Sequence, residues 1–171
     1  MNYGEWLAKV PRELTKDPLW RMEVYRLAVF ASDLAWDDVC ALAKDKRTVS
    51  LSDQLYRAVG SVSANIAEGY GRQSGRDQAR LYEYALGSAR ESRVWYYQGR
   101  HVLSEAVSTH RIKLLTSIIR LLLTIIPAER LHRLAEEQPS YEPSTTALLN
   151  DPPMPSTQHE PRNTQQVTRN T

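Results

Sequence analysis

Any chemistry in this chain would come first from one short stretch. Asn65-Ile66-Ala67-Glu68-Gly69-Tyr70-Gly71-Arg72-Gln73-Ser74-Gly75 sets three glycines close together, and Arg76 and Arg80 follow one helical turn apart. Guanidinium groups suit planar, bidentate contact with phosphate, and a helix starting after Gly75 would offer free N–H groups. Arg72, Arg76 and Arg80 are therefore the candidate nucleic-acid-binding residues. Tyr70, Tyr82 and Tyr84 would add stacking, although aromatics at such spacing also serve as packing groups. Asn65 and Glu68, three apart on one side of a helix, would satisfy loop backbone groups or accept from Arg72. A second polar cluster, Gln54, Arg57 and Glu91, reads as a buried or half-buried Arg57–Glu91 ion pair that fixes helix register.

No catalytic or metal set emerges from the remaining residues. The glycine-rich stretch lacks the Gly-Lys-Ser/Thr ending of a nucleotide phosphate loop and follows no strand pattern. His101, His110, His132 and His159 form neither a HExxH pair nor a His/Cys cluster, so no metal, cofactor or enzymatic activity is expected. The single cysteine excludes an intrachain disulfide, and its place in Val39-Cys40-Ala41-Leu42 predicts a buried small hydrophobe.

The 171 residues suffice for one domain. Residues 1–136 hold 20 Lys+Arg against 16 Asp+Glu, a weak basic bias that permits a nucleic-acid partner without demanding one. Arginine outnumbers lysine 17 to 5, and the plain use of such residues is in surface and intersubunit ion pairs. Residues 137–171 carry six prolines and few apolar groups, which predicts a flexible Pro/Ser/Thr-rich tail. The N-terminus has no basic region followed by an apolar core, so cytoplasmic residence is the expectation. The longest apolar run, Leu121 to Ile126 interrupted by Thr124, is far below membrane-spanning length.

The elements that must position these residues are helices. Residues 1–18, with Pro11 and Pro18, read as an arm that packs on the body through Trp6 or reaches a neighbouring subunit. A first helix is predicted over Leu19–Ala43 on the spacing of Val24, Leu27, Ala31 and Leu34; Asp38 breaks that register, and the apolar stripe is expected to shift to Val39. A second helix starts near Ser50 or Ser52, either of which could cap it, and its small residues Ala58, Gly60, Ser61, Ser63 and Ala64 would admit a close neighbour. After a corner of unusual backbone angles, a third helix runs from beyond Gly75 to about His101. Ser104 caps a fourth, whose heptad Leu115, Ile119, Leu122, Ile126 and parallel row Leu114, Ile118, Leu121, Ile125 require a central position or a face buried in an oligomer. Pro127 ends it, and Ala128–Glu136 would add a short docking helix. The fold class is thus all-α: an antiparallel up-down-up-down four-helix bundle over 19–136, with an N-terminal arm and a C-terminal tail. Leftover apolar surface points to a homo-oligomer, unless the arm covers the fourth helix.

Gln54-Leu55-Tyr56-Arg57-Ala58-Val59-Gly60-Ser61-Val62-Ser63-Ala64-Asn65-Ile66-Ala67-Glu68-Gly69, then Gly71-Arg72 and Ala85-Leu86-Gly87-Ser88-Ala89-Arg90-Glu91, closely resemble the four-helix-bundle family encoded in 23S ribosomal RNA intervening sequences, also called S23-like. The resemblance spans about residues 20–126. It implies a closed four-helix bundle that assembles as a homopentamer and an association with ribosomal RNA; related bundles are accessory nucleic-acid-binding partners of reverse transcriptases. Here Thr48-Val49-Ser50 stands for the family's Phe-Pro, Tyr56-Arg57 for its paired arginines and Ser63 for its common proline. The sequence reading is a non-enzymatic helical oligomer that binds ribosomal RNA or DNA; the alternative is a protein-interaction scaffold that engages a protein partner.

Overall fold

The computed structural model describes residues 2–126. Two short helices, α1 (Tyr3–Leu7) and α2 (Arg12–Thr15), and a 3-10 turn (Pro18–Arg21) precede four long helices: α3 (Glu23–Leu42), α4 (Val49–Tyr70), α5 (Gly75–Leu103) and α6 (Glu105–Ile125). α3 packs on α4, α4 on α5, α5 on α6, and α6 back on α3, with little contact across the α3–α5 diagonal. The described chain is all-α, and its short connections force antiparallel neighbours. No described helix is long and apolar enough to cross a membrane.

The arm settles on its own body. Trp6 is buried, donates from Nε1 to Asp33 Oδ2 at 2.5 Å, and stacks within an aromatic group made by Tyr3, Trp20 and Phe30. The predicted first helix divides where Pro18 opens a 3-10 turn capped by Asp17, which accepts from Leu19 N at 2.8 Å; α3 proper begins at Glu23. At the next junction neither Ser50 nor Ser52 caps α4. The helix starts at Val49, and Ser52 Oγ turns back to Val49 O at 2.6 Å. Thr48 sits at the cap but donates its hydroxyl to Leu42 O at 2.6 Å, so it closes α3 rather than opening α4.

The glycine corner works differently from its prediction. No described glycine has a positive φ; Gly69 lies within α4, Gly71 has φ −77°, and Gly75 opens α5. What Gly69 supplies is space: a β-carbon there would stand 2.8 Å from Tyr82 Cε1 and 3.2 Å from Leu81 Cβ, so α4 and α5 meet at that point only because the side chain is absent. The strained backbone is at Ser104, φ 79° and ψ 154°, where one residue joins α5 to α6; its hydroxyl accepts from Val107 N at 3.4 Å, as the predicted cap.

One expectation about an apolar residue changes, and another is met in part. α6 buries most of its large apolar side chains within the chain, against α3 and α5, with Ile112, Leu121 and Leu123 half-buried and Ile125 exposed. The uncovered large hydrophobes of the four-helix body lie mainly elsewhere, at Trp36, Val49, Tyr56, Tyr70, Tyr84, Val94 and Tyr97. Cys40, expected to be buried, is exposed because it falls one turn beyond Trp36 on the outer side of α3. The predicted short helix Ala128–Glu136, Pro127 and the 137–171 tail lie outside the described residues.

Candidate nucleic-acid interface

The end of α4 and the start of α5 bring Arg72, Arg76 and Arg80 to one end of the bundle, all three exposed. Arg72, just past the end of α4, pairs with Glu68 one turn before it, as the sequence suggested. Arg80 reaches Asp77 only at 3.9 Å, and both side chains are more than half exposed, so that pair is weak. Arg76 has no carboxylate within ion-pair range among the described residues. Ser74 precedes α5 without a side-chain cap bond, which leaves the first-turn N–H groups of α5 open on the same corner. The corner therefore offers guanidinium and amide donors to an anion, moderated by Glu68 and Asp77. Tyr70 and Tyr84 are exposed near it, whereas Tyr82 is buried against Gly69 and accepts from Gln78 Nε2 at 3.2 Å; burial raises its phenol pKa.

Asn65 serves its own helix, donating Nδ2–H to Ser61 O at 2.8 Å. The Arg57–Glu91 pair does not form. Arg57 faces outward on α4 and binds Asp53 at 2.9 Å with both side chains mostly exposed, while Glu91 accepts from Trp95 Nε1 at 3.0 Å on the outside of α5. One helical turn separates the partners in each case, so local geometry wins over the cross-helix pairing, and Gln54 stands half-buried on α4 apart from both pairs.

The buried polar centre of the bundle is elsewhere, and the sequence reading missed it. Asp38 of α3 is fully buried; it accepts from Arg111 Nε at 2.8 Å, from Arg111 Nη2 at 3.2 Å and from the Tyr96 hydroxyl at 2.9 Å. Arg111 Nη1 also meets His110 Nδ1 at 2.9 Å. Burial raises the Asp38 pKa even against the attraction of Arg111, and burial together with Asp38 pushes the Tyr96 phenol well up. The signal was present: Asp38 sits in register with Leu34 and Leu42, and the stripe does not shift to Val39, which is only half-buried. Arg111 likewise lies one turn before Leu115. Closed off from solvent, this network ties α3, α5 and α6 together and offers no access to a substrate. Among the described residues no group of three or more His, Cys, Asp or Glu could hold a metal ion.

The model of the 23S rRNA-intervening sequence protein family matches residues 21–124. The chain belongs to that family. The matched span begins at the end of the 3-10 turn and takes in all four long helices, leaving α1 and α2 outside. A crystal structure of a protein of unknown function from the S23 ribosomal protein family of Bacteroides thetaiotaomicron VPI-5482 is similar at 22% identity and TM-score 0.58, covering 61% of this chain and 99% of that one. At that identity the likeness speaks for the fold alone. The search of curated proteins gives no match.

Proposed function

We propose that this member of the 23S rRNA-intervening sequence protein family is a non-enzymatic, cytoplasmic homo-oligomer that binds ribosomal RNA or another nucleic acid through the α4–α5 corner. The observation that carries the reading is the exposed set Arg72, Arg76 and Arg80, in which Arg76 has no carboxylate partner among the described residues and Arg80 only a distant one. Phosphate would displace Glu68 and Asp77 at little cost, because exposed ion pairs contribute at most about 1 kcal/mol. The family resemblance supports a pentamer, and the exposed Trp36, Tyr56, Tyr84 and Val94 supply apolar surface for it. The test is titration of full-length protein with structured ribosomal RNA and with duplex DNA. Binding by the native chain, and its loss in the folded Arg72→Ala/Arg76→Ala/Arg80→Ala variant, is the expected result; equal binding by both proteins would overturn the corner as the site.

A second reading, a scaffold for a protein partner without nucleic acid, is favoured by one feature. Trp36 and Tyr56 meet edge-on at 5.9 Å across α3 and α4 and remain about half exposed, beside the acidic residues Asp33, Asp37 and Asp53. An aromatic pair in acidic surroundings suits a protein surface better than a phosphate backbone.

A further inference from the structure

The end of the bundle away from the glycine corner carries a second set of cations. Gly99 of α5 lies against Leu42 of α3, where a β-carbon would stand 3.2 Å from Leu42 Cδ2, so the α3–α4 turn and the α5–α6 junction share that pole. Lys44, Lys46 and Arg47 of the turn are exposed there, and Arg100 stands half-buried one turn before the junction. Their carboxylate neighbours are Asp45 and Glu105, so four cations face two anions, against three and two (Glu68 and Asp77) at the α4–α5 corner. Arg47 is held by Asp45, Nη2 to Oδ2 at 2.6 Å, while Arg100 lies 4.0 Å over the Tyr97 ring and donates to Tyr97 O at 2.6 Å. Lys44 and Lys46 are left over: neither ammonium has an ion-pair or hydrogen-bond partner among the described residues. Nor does the C-terminus of α3 need them, because the Thr48 hydroxyl and the amides of Ala43, Lys44 and Asp45 already donate to its last carbonyls.

α4 runs the length of the bundle between the two poles. Its 22 residues make it about 33 Å long, and one turn of duplex DNA advances about 34–36 Å. Lys46 and Arg72 lie just beyond its two ends. The span between them has little to offer phosphate: Asp53 and Arg57 pair with each other at 2.9 Å, and the exposed Glu91 of α5 is negative. We propose that a double-helical nucleic acid lies along α4 and is held at both poles, one duplex turn apart, with Lys44 and Lys46 as the second phosphate contact. This inference rests on the nucleic-acid reading above and adds the form of the partner and a second site for it. Lysine ammoniums are point charges without the fork of a guanidinium, so this pole strengthens a duplex already seated on Arg72, Arg76 and Arg80 and does not seat one by itself. Once the corner is engaged, the second contact is intramolecular and gains from a high effective concentration.

Salt titration of the full-length chain and its Lys44→Gln/Lys46→Gln variant against a short and a long DNA duplex tests the proposal. At about 3.4 Å per base pair, a duplex of about 8 base pairs is roughly 27 Å long and reaches one pole, and one of about 20 is roughly 68 Å long and spans both. Both lysines are exposed, and circular dichroism confirms folding. On the long duplex, five phosphate contacts give the native chain a slope of log K against log salt near −4.5, or about a 500-fold loss of affinity from 50 to 200 mM salt. The variant returns to a slope of about −2.7, or about 40-fold. On the short duplex the two proteins bind alike. An unchanged slope for the variant on the long duplex, or an equal change on the short one, overturns the second pole and leaves the corner standing. A native chain that binds neither duplex at low salt overturns the nucleic-acid reading itself, and this inference with it.

Discussion

Removal of the Asp38 carboxylate is the perturbation that should cost this bundle most. Asp38→Ala leaves the Arg111 guanidinium, 1% exposed, without the oxygens now 2.8 and 3.2 Å away, and leaves the Tyr96 hydroxyl without its acceptor at 2.9 Å. Stripping one partner from a buried ion pair costs about 3–5 kcal/mol, and an orphaned buried hydroxyl about 1–3 more, with incomplete additivity. A loss of about 4 kcal/mol is a large share of the roughly 5–15 kcal/mol typical of a domain, and at roughly 4 °C per kcal/mol it lowers Tm by about 16 °C. The double variant Asp38→Leu/Arg111→Met removes both charges and should recover much of the loss. Urea unfolding followed by circular dichroism measures all three proteins, at one fixed protein concentration because assembly adds to apparent stability. The pH course has a definite sign. Burial raises the folded pKa of Asp38, so its proton-linked stabilisation is full below the unfolded value and is lost as pH rises through the folded one. Asp38→Asn should flatten that limb. A loss under about 1 kcal/mol for Asp38→Ala, or a double variant no more stable than Asp38→Ala, would refute the reasoning.

Three further outcomes are expected. Gly69→Ala places a β-carbon 2.8 Å from the buried Tyr82 ring, and overpacking of this kind costs about 1–3 kcal/mol by denaturant unfolding; an unchanged midpoint would show that α4 and α5 can separate freely. Ser104→Gly relieves φ 79° at the α5–α6 junction at the loss of one 3.4 Å cap bond, for a net gain of about 1 kcal/mol, and a destabilised variant would show the cap to be the larger effect. Asp45, held by Arg47 in the α3–α4 turn, titrates at about 2, so its contribution is present above its unfolded pKa and is lost as pH falls through about 2; an NMR midpoint near the ordinary 3.8 would contradict this.

Periodicity made the helices legible, because four amphipathic patterns with short connections leave few ways to bury their stripes. It placed the α5–α6 cap at Ser104 and the Glu68–Arg72 pair, both of which depend on near neighbours in the chain. It failed where partners are distant. The Arg57–Glu91 pairing assumed a cross-helix contact, while each residue had a partner one turn away. Asp38, Tyr96 and Arg111 are separated by 58 and 73 positions in the chain, and only the closed packing of α3, α5 and α6 brings them together. Gly69 and Gly60 look alike in sequence, yet one is required by a neighbouring ring and the other faces open space. The corner arginines were identifiable by type and spacing, but their exposure and the distance from Arg80 to Asp77 come from the fold.

The salt dependence of nucleic-acid binding tests the central claim most directly. Three phosphate contacts from Arg72, Arg76 and Arg80 give a slope of log K against log salt near −2.7 for duplex DNA, or about a 40-fold loss of affinity from 50 to 200 mM salt per engaged protomer. The account predicts at least that slope for the native chain and its collapse in the triple-alanine variant. Absence of binding to ribosomal RNA and to duplex DNA at low salt, or a slope that the triple variant leaves intact, would contradict it.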